Sequence, residues 1–192
     1  MLPFKLAGRT KGFAMRHTAW AVLLAALFTA GCGLNEFDVS QSGTATVAGA
    51  SLLGQVLNTL PPMQGFNDFD LSQTQAFENQ NAQKDHVSST ALTAFTLKIT
   101  SPPSQDFGFL DTVAFFVSAD GLPKVRVAHK EGIAALGLTA PNPTLTLDLD
   151  QVELAPYVKA DSMNITAEVN GRQPSSDTAL TAAATFHVKV KL

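Results

Sequence analysis

Three histidines, His86, His129 and His187, and two closely spaced acid pairs, Asp68 with Asp70 and Asp148 with Asp150, are the groups outside the first thirty residues whose types suit chemistry. A histidine titrates near neutral pH and can act as a general base or bind a metal. The three are scattered over different segments, however, and a lone exposed histidine is ordinarily just solvated. Carboxylates two residues apart lie on one side of an extended chain, as ligands of a hard cation would. Such a cation wants six to eight oxygens, and neither acid pair sits in a Gly-containing twelve-residue loop, so a solvated strand face explains both pairs more simply. The sequence has no Gly-x-Ser-x-Gly elbow, no His-Glu-x-x-His and no phosphate-cradling Gly-rich loop. With a single cysteine, Cys32, neither a thiolate metal site nor an intrachain disulfide is available. No catalytic residue, metal site or cofactor is therefore expected.

Cys32 itself is the most informative residue. It follows the apolar run Ala19 to Phe28 and stands in the sequence Thr29-Ala30-Gly31-Cys32-Gly33. The run is short for a membrane span, which needs about 20 apolar residues at about 1.5 Å each. A basic residue, a short apolar stretch and small residues before a cysteine resemble the type II signal peptide of bacterial lipoproteins. The resemblance covers the leader and Cys32 alone. It implies cleavage before Cys32, diacylglycerol on its sulfur and a further acyl chain on the new amino terminus. It departs from the family pattern at Thr29, where a Leu-like residue is usual. Ordinary secretion with cleavage nearby is the rival reading. Met15, next to Arg16, is an alternative translation start. Gly33 after the cysteine, where aspartate would indicate inner-membrane retention, points toward the outer membrane.

The expected organisation is residues 1–31 as signal peptide, 32–43 as lipidated cysteine and tether, and 44–192 as a single domain. The leader holds four of the 13 basic residues and none of the 16 acids, so the remainder carries a formal charge of −7. That balance argues against nucleic acid as a partner and against electrostatic attraction to anionic headgroups. Membrane attachment must then come from acyl chains on Cys32, and two or more of them anchor a protein stably.

Within the domain, Leu52, Leu53, Val56, Leu57 and Leu60 recur at helical spacing before Pro61-Pro62, predicting one short N-terminal helix, either covering the domain or lying on the bilayer. Residues 63–86, with Phe66, Phe69 and Phe77 among polar residues, read as an irregular covering segment or partial strand, or as a ligand-facing loop. From Val87 the period becomes two. Phe95, Leu97 and Ile99 share a face, as do Val113, Phe115 and Val117; Val125 and Val127; Leu145, Leu147 and Leu149; and Ile165, Ala167 and Val169. The longest series is Leu180, Ala182, Ala184, Phe186, Val188 and Val190. Asp120-Gly121 and Asn170-Gly171 are expected turns. The fold class is mainly β, an antiparallel immunoglobulin-like sandwich. Residues 152–158 break the alternation and predict a turn or single helical turn crossing between sheets. Its Tyr157, the chain's one tyrosine, is read as a corner tyrosine bonded to backbone, with a ligand contact as the alternative. The step Ala140-Pro141-Asn142-Pro143 resembles plant-desiccation-type and bacterial water-stress sandwich domains over those residues only, and no residue role follows from it.

These readings converge on a lipid-anchored envelope lipoprotein whose domain is a non-catalytic structural or protein-interaction module, with an envelope protein as partner. The alternative is a carrier holding a lipid or other apolar ligand between its sheets. Of the thirteen phenylalanines three fall in the leader; the ten beyond it and the inward alanines suit either a cavity or an ordinary core.

Overall fold

The computed structural model describes residues 36–51 and 55–191. The leader, Cys32 and Leu52-Leu53 lie outside the described residues. Among the described residues nine strands form the domain: β1 (Glu36–Val47), β2 (Val56–Thr59), β3 (Val87–Ser101), β4 (Leu110–Ala119), β5 (Val125–Glu131), β6 (Thr144–Thr146), β7 (Asp148–Leu149), β8 (Met163–Arg172) and β9 (Thr178–Val190). Two five-residue helices accompany them, α1 (Gln75–Asn79) and α2 (Ala155–Lys159). One sheet has the order β1-β9-β3-β6 and the other β2-β8-β4-β5-β7, with all pairings antiparallel. The mainly β sandwich expected from the alternation is present.

Its strand order is not immunoglobulin-like. In that fold the first two strands are neighbours in one sheet, whereas here β1 pairs with β9 and β2 lies in the opposite sheet. Leaving aside two-residue β7, the pairs β1–β9, β2–β8, β3–β6 and β4–β5 nest like a long hairpin folded over on itself, the arrangement of a jelly roll. Alternation specifies which face of a strand is buried but not which strand lies beside it. Order therefore follows from long-range pairing that no local pattern encodes.

Three further expectations fail for identifiable reasons. The supposed tether enters the sheet at Glu36. Its alternation was obscured because inward positions carry Gln41, whose amide donates to Gly65 O at 2.6 Å, and Gly43, which lies against the Phe66 ring. The supposed N-terminal helix is strand β2 where it is described: Leu57 and Leu60 are buried while Val56 is exposed. A bulge between Leu57 and Thr59 adds a residue, so two inward side chains fall three apart and imitate a helical interval. Asn170-Gly171 is not a turn but lies inside β8. There Gly171 packs against the backbone of Phe109, leaving no space for a Cβ.

The core fills the space between the sheets. Phe66, Phe95 and Phe115 form a continuous row, with ring centroids 6.1 and 4.4 Å apart, and all three are fully buried. Bulk on β3 meets small residues on β9, since Phe95 is paired with Ala184 and Leu97 with Ala182. The inward alanines thus accommodate large neighbours rather than marking a hollow. Phe66 and Phe77 bring residues 63–86 onto the core as the covering segment expected.

The connection from β7 to β8 carries the expected turn of helix, α2, but joins two strands of the same sheet rather than crossing between sheets, and it is fixed by two side chains. Tyr157 Oη donates to Pro123 O at 2.7 Å, the corner-tyrosine role. Glu153 accepts from Ser89 Oγ at 2.7 Å, Thr90 N at 2.7 Å and Ala155 N at 2.8 Å. Partial burial pushes the Glu153 carboxyl upward, but these hydrogen bonds outweigh it and hold the group below its ordinary value of 4.5. Beneath them the hydroxyl of Thr90 is fully buried and has no hydrogen-bond partner.

These contacts generate three expected outcomes. Gly43→Ala forces a methyl against the Phe66 ring and should destabilise the domain by about 1–3 kcal/mol in chemical denaturation. Thr90→Val, which removes an orphaned buried hydroxyl at nearly constant shape, should leave stability unchanged or raise it by up to about 1 kcal/mol in the same assay. Because the Glu153 pKa is depressed on folding, its contribution is present above about pH 4.5 and lost as pH falls through the folded value. The Tm gap between wild type and Glu153→Gln should accordingly be steady from pH 6 to 8 and close in acid, when followed by circular dichroism.

Candidate functional site

Cys32, the residue read as the lipidation site, precedes β1 by four positions, and Glu36 is where the described chain begins. Four residues span at most about 14 Å. The end of the sandwich at Glu36 therefore lies within that reach of Cys32. The strand directions sort the remaining connections. The later part of the covering segment, from Phe69, the β4–β5 turn, the α2 connection and the end of β9 share the Glu36 end, while the β1–β2, β3–β4, β5–β6 and β8–β9 connections leave the opposite end.

At the Glu36 end an ionic cluster joins β1 to β9. Register places Glu36 opposite Lys189 and Asp38 opposite His187. His187 Nδ1 lies 2.8 Å from Asp38 Oδ1, His187 Nε2 lies 3.4 Å from Glu36 Oε2, and Lys189 Nζ lies 3.2 Å from Glu36 Oε2. The hydrogen bond to Asp38, helped by Glu36, raises the His187 pKa above 6.5. Lys189 and then His187 lower that of Glu36. The two ring nitrogens point to opposite sides of the imidazole, so this set cannot converge on one ion.

His129 also finds a carboxylate. Its Nδ1 is 3.2 Å from Asp150 Oδ2, and Arg126 grips the same carboxylate through Nε at 2.9 Å and Nη2 at 3.2 Å. Arg126, followed by His129, lowers the Asp150 pKa against the effect of partial burial. Asp148, the other member of this pair, accepts from Lys130 at 3.1 Å. Asp148 and Asp150 are thus held by separate cations on the β5–β7 edge. The second pair also diverges: Asp70 caps a 3-10 turn through Ser72 N, whereas Asp68 N–H donates to Asn164 Oδ1. His86 is exposed. Among the described residues no group of three or more His, Cys, Asp or Glu side chains is arranged to hold a metal ion.

Alternation had placed His187 on a wet face, but not its partners, because Asp38 lies 149 residues away. The outward residues of the β1-β9-β3 sheet are otherwise mostly Ser, Thr and Ala. They include a surface groove of about 520 Å³ bordered by Thr44, Thr46, Gln64, Thr100 and Thr181. Opposite the Glu36 end, Leu136 on the β5–β6 connection and Val56 at the start of β2 are exposed. Charge is sparse on those far connections: Asp106 caps Gly108 N, and Asp177 accepts from Gly49 N.

No family model matches the sequence, and no curated protein matches it. Among solved structures the domain is similar to the decameric BFDV capsid protein, at a TM-score of 0.40 and 8% identity over 81% of this chain and 98% of that one.

Proposed function

We propose that this chain is a lipid-anchored lipoprotein of the bacterial envelope whose jelly-roll domain is a non-catalytic scaffold for protein interaction. The observation that carries this reading is the lone cysteine directly behind a short apolar run, four residues ahead of the first strand. Acyl chains on Cys32 would hold the Glu36 end within about 14 Å of the bilayer. Gly33 favours the outer membrane. The connections at the far end would then project away from the membrane. Their low charge and the exposed Val56 and Leu136 suit contact with an envelope protein, since the centres of such interfaces are depleted of charge.

A carrier of an apolar ligand between the sheets draws no support from a space already filled by Phe66, Phe95 and Phe115. The ionic partners of His129 and His187 likewise suit structural roles, because each ring is engaged by carboxylates.

Membrane fractionation with intact-mass analysis tests the anchor. The wild-type chain should pellet with membranes and carry acyl mass at Cys32, and Cys32→Ser should be released in soluble, folded form. A Cys32→Ser variant that still fractionates with membranes, or a wild-type Cys32 without acyl mass, would contradict it.

A further inference from the structure

His187 has a carboxylate at each ring nitrogen, Asp38 at Nδ1 and Glu36 at Nε2. Neutral imidazole has one N–H, so it can donate to only one of them and turns a lone pair toward the other; imidazolium donates to both. The two contacts, at 2.8 and 3.4 Å, can therefore both be hydrogen bonds to carboxylate only when the ring is protonated. The rest of the surroundings leaves this balance to the same few groups. Lys189 on β9 serves Glu36, and on the β3 side the residues opposite His187 and Lys189 are Ala91 and Ser89, both uncharged. The helix α1 packs under β1 through Phe77 against Phe37, and its Glu78 carboxylate accepts from Gln75.

We propose that His187 is a pH-dependent latch on the first residues of β1: protonated, it clamps Glu36 and Asp38 to β9, and on losing its proton it releases one of them. Its reach is bounded by packing. The edge-on contact of Phe37 with Phe77 at 5.0 Å limits how far residues 36–38 loosen, and buried Val39 stops the loosening there. Those residues lie four to six positions after Cys32. On the anchoring reading, the latch sets where the tether ends and the rigid domain begins, keeping the domain closer to the bilayer in acid than in alkali. This consequence rests on that reading, whereas the latch does not.

The sign follows from the raised pKa. A histidine whose pKa rises on folding contributes stability fully below its unfolded value, and that contribution disappears as pH rises through the folded one. Thr44 directs both its N–H and its C=O to Gln64, so strand alternation turns the amides of Phe37 and Val39 toward β9. Phe37 N–H, between the two clamped acids, is the reporter.

The experiment is NMR on the chain carrying Cys32→Ser, so that its outcome does not depend on acylation. It records the His187 ring titration and amide exchange normalised to intrinsic rates at pH 5.5 and 8.5. The protection of Phe37 should be about two- to fivefold greater at the lower pH, the scale of an exposed ion pair. In His187→Gln that ratio should fall to about one, with Ala184 in central β9 serving as the control for global stability. A His187 that titrates at or below 6.5 would overturn the latch. So would a Phe37 ratio unchanged by His187→Gln.

Discussion

Strand β9 is the constraint on which the rest of the domain depends. It runs between β1 and β3 for nearly its whole length, joining the first, third and last long strands into one sheet. Its inward residues are graded in size, with Ala182 and Ala184 beside the aromatic row and Phe186 and Val188 beyond it. A slip of one residue would turn this series outward and present Thr181, Thr185 and His187 to the core. The same register brings His187 to Asp38 and Lys189 to Glu36. The ionic cluster at the Glu36 end and the packing between the sheets are therefore consequences of one alignment.

The covering segment shows how the core influences its cover. Gly43 leaves a gap in the inner surface of β1, and the Phe66 ring occupies it. Gln64 pairs with Thr44 on the open edge of β1, and Gly65 follows against Ser42 O. An edge strand with free backbone groups tends to pair with other chains. Here the segment that seals the core also blocks part of that edge. Glu153 does comparable work on β3, where it accepts from Thr90 N beside the backbone bond from Leu154 N to Thr90 O.

What the sequence disclosed follows from the range of each interaction. Phe95, Leu97 and Ile99, and the long series on β9, were legible because alternation is local and their inward residues are uniformly apolar. Tyr157 was legible because a lone tyrosine in a break between strands has a polar tip needing a partner. Strand β1 was missed because Gln41 and Gly43 occupy inward positions that only Gly65 and Phe66 explain, more than 20 residues away. Strand β2 was misread because its bulge spaced Leu57 and Leu60 as a helix would. The jelly-roll order and the His187 cluster depend on pairing across most of the chain. Of the candidate site, Cys32 is proposed from the sequence of its leader alone, whereas the arrangement of the nearby charges needs the strand register.

The central claim is that this domain stands on its own membrane by the Glu36 end. Since Cys32 would be acylated and is the chain's one cysteine, a cysteine introduced elsewhere gives a single labelling site. Fluorophores would be attached through Asp120→Cys, on the β4–β5 turn at the near end, and Ser175→Cys, on the β8–β9 connection at the far end. Their quenching by nitroxide lipid headgroups would be compared in vesicles carrying the acylated protein. The strands separate the two ends by roughly 37 Å, so strong quenching at position 120 and little at position 175 is the predicted result. Equal quenching at both positions, or stronger quenching at 175, would contradict the account.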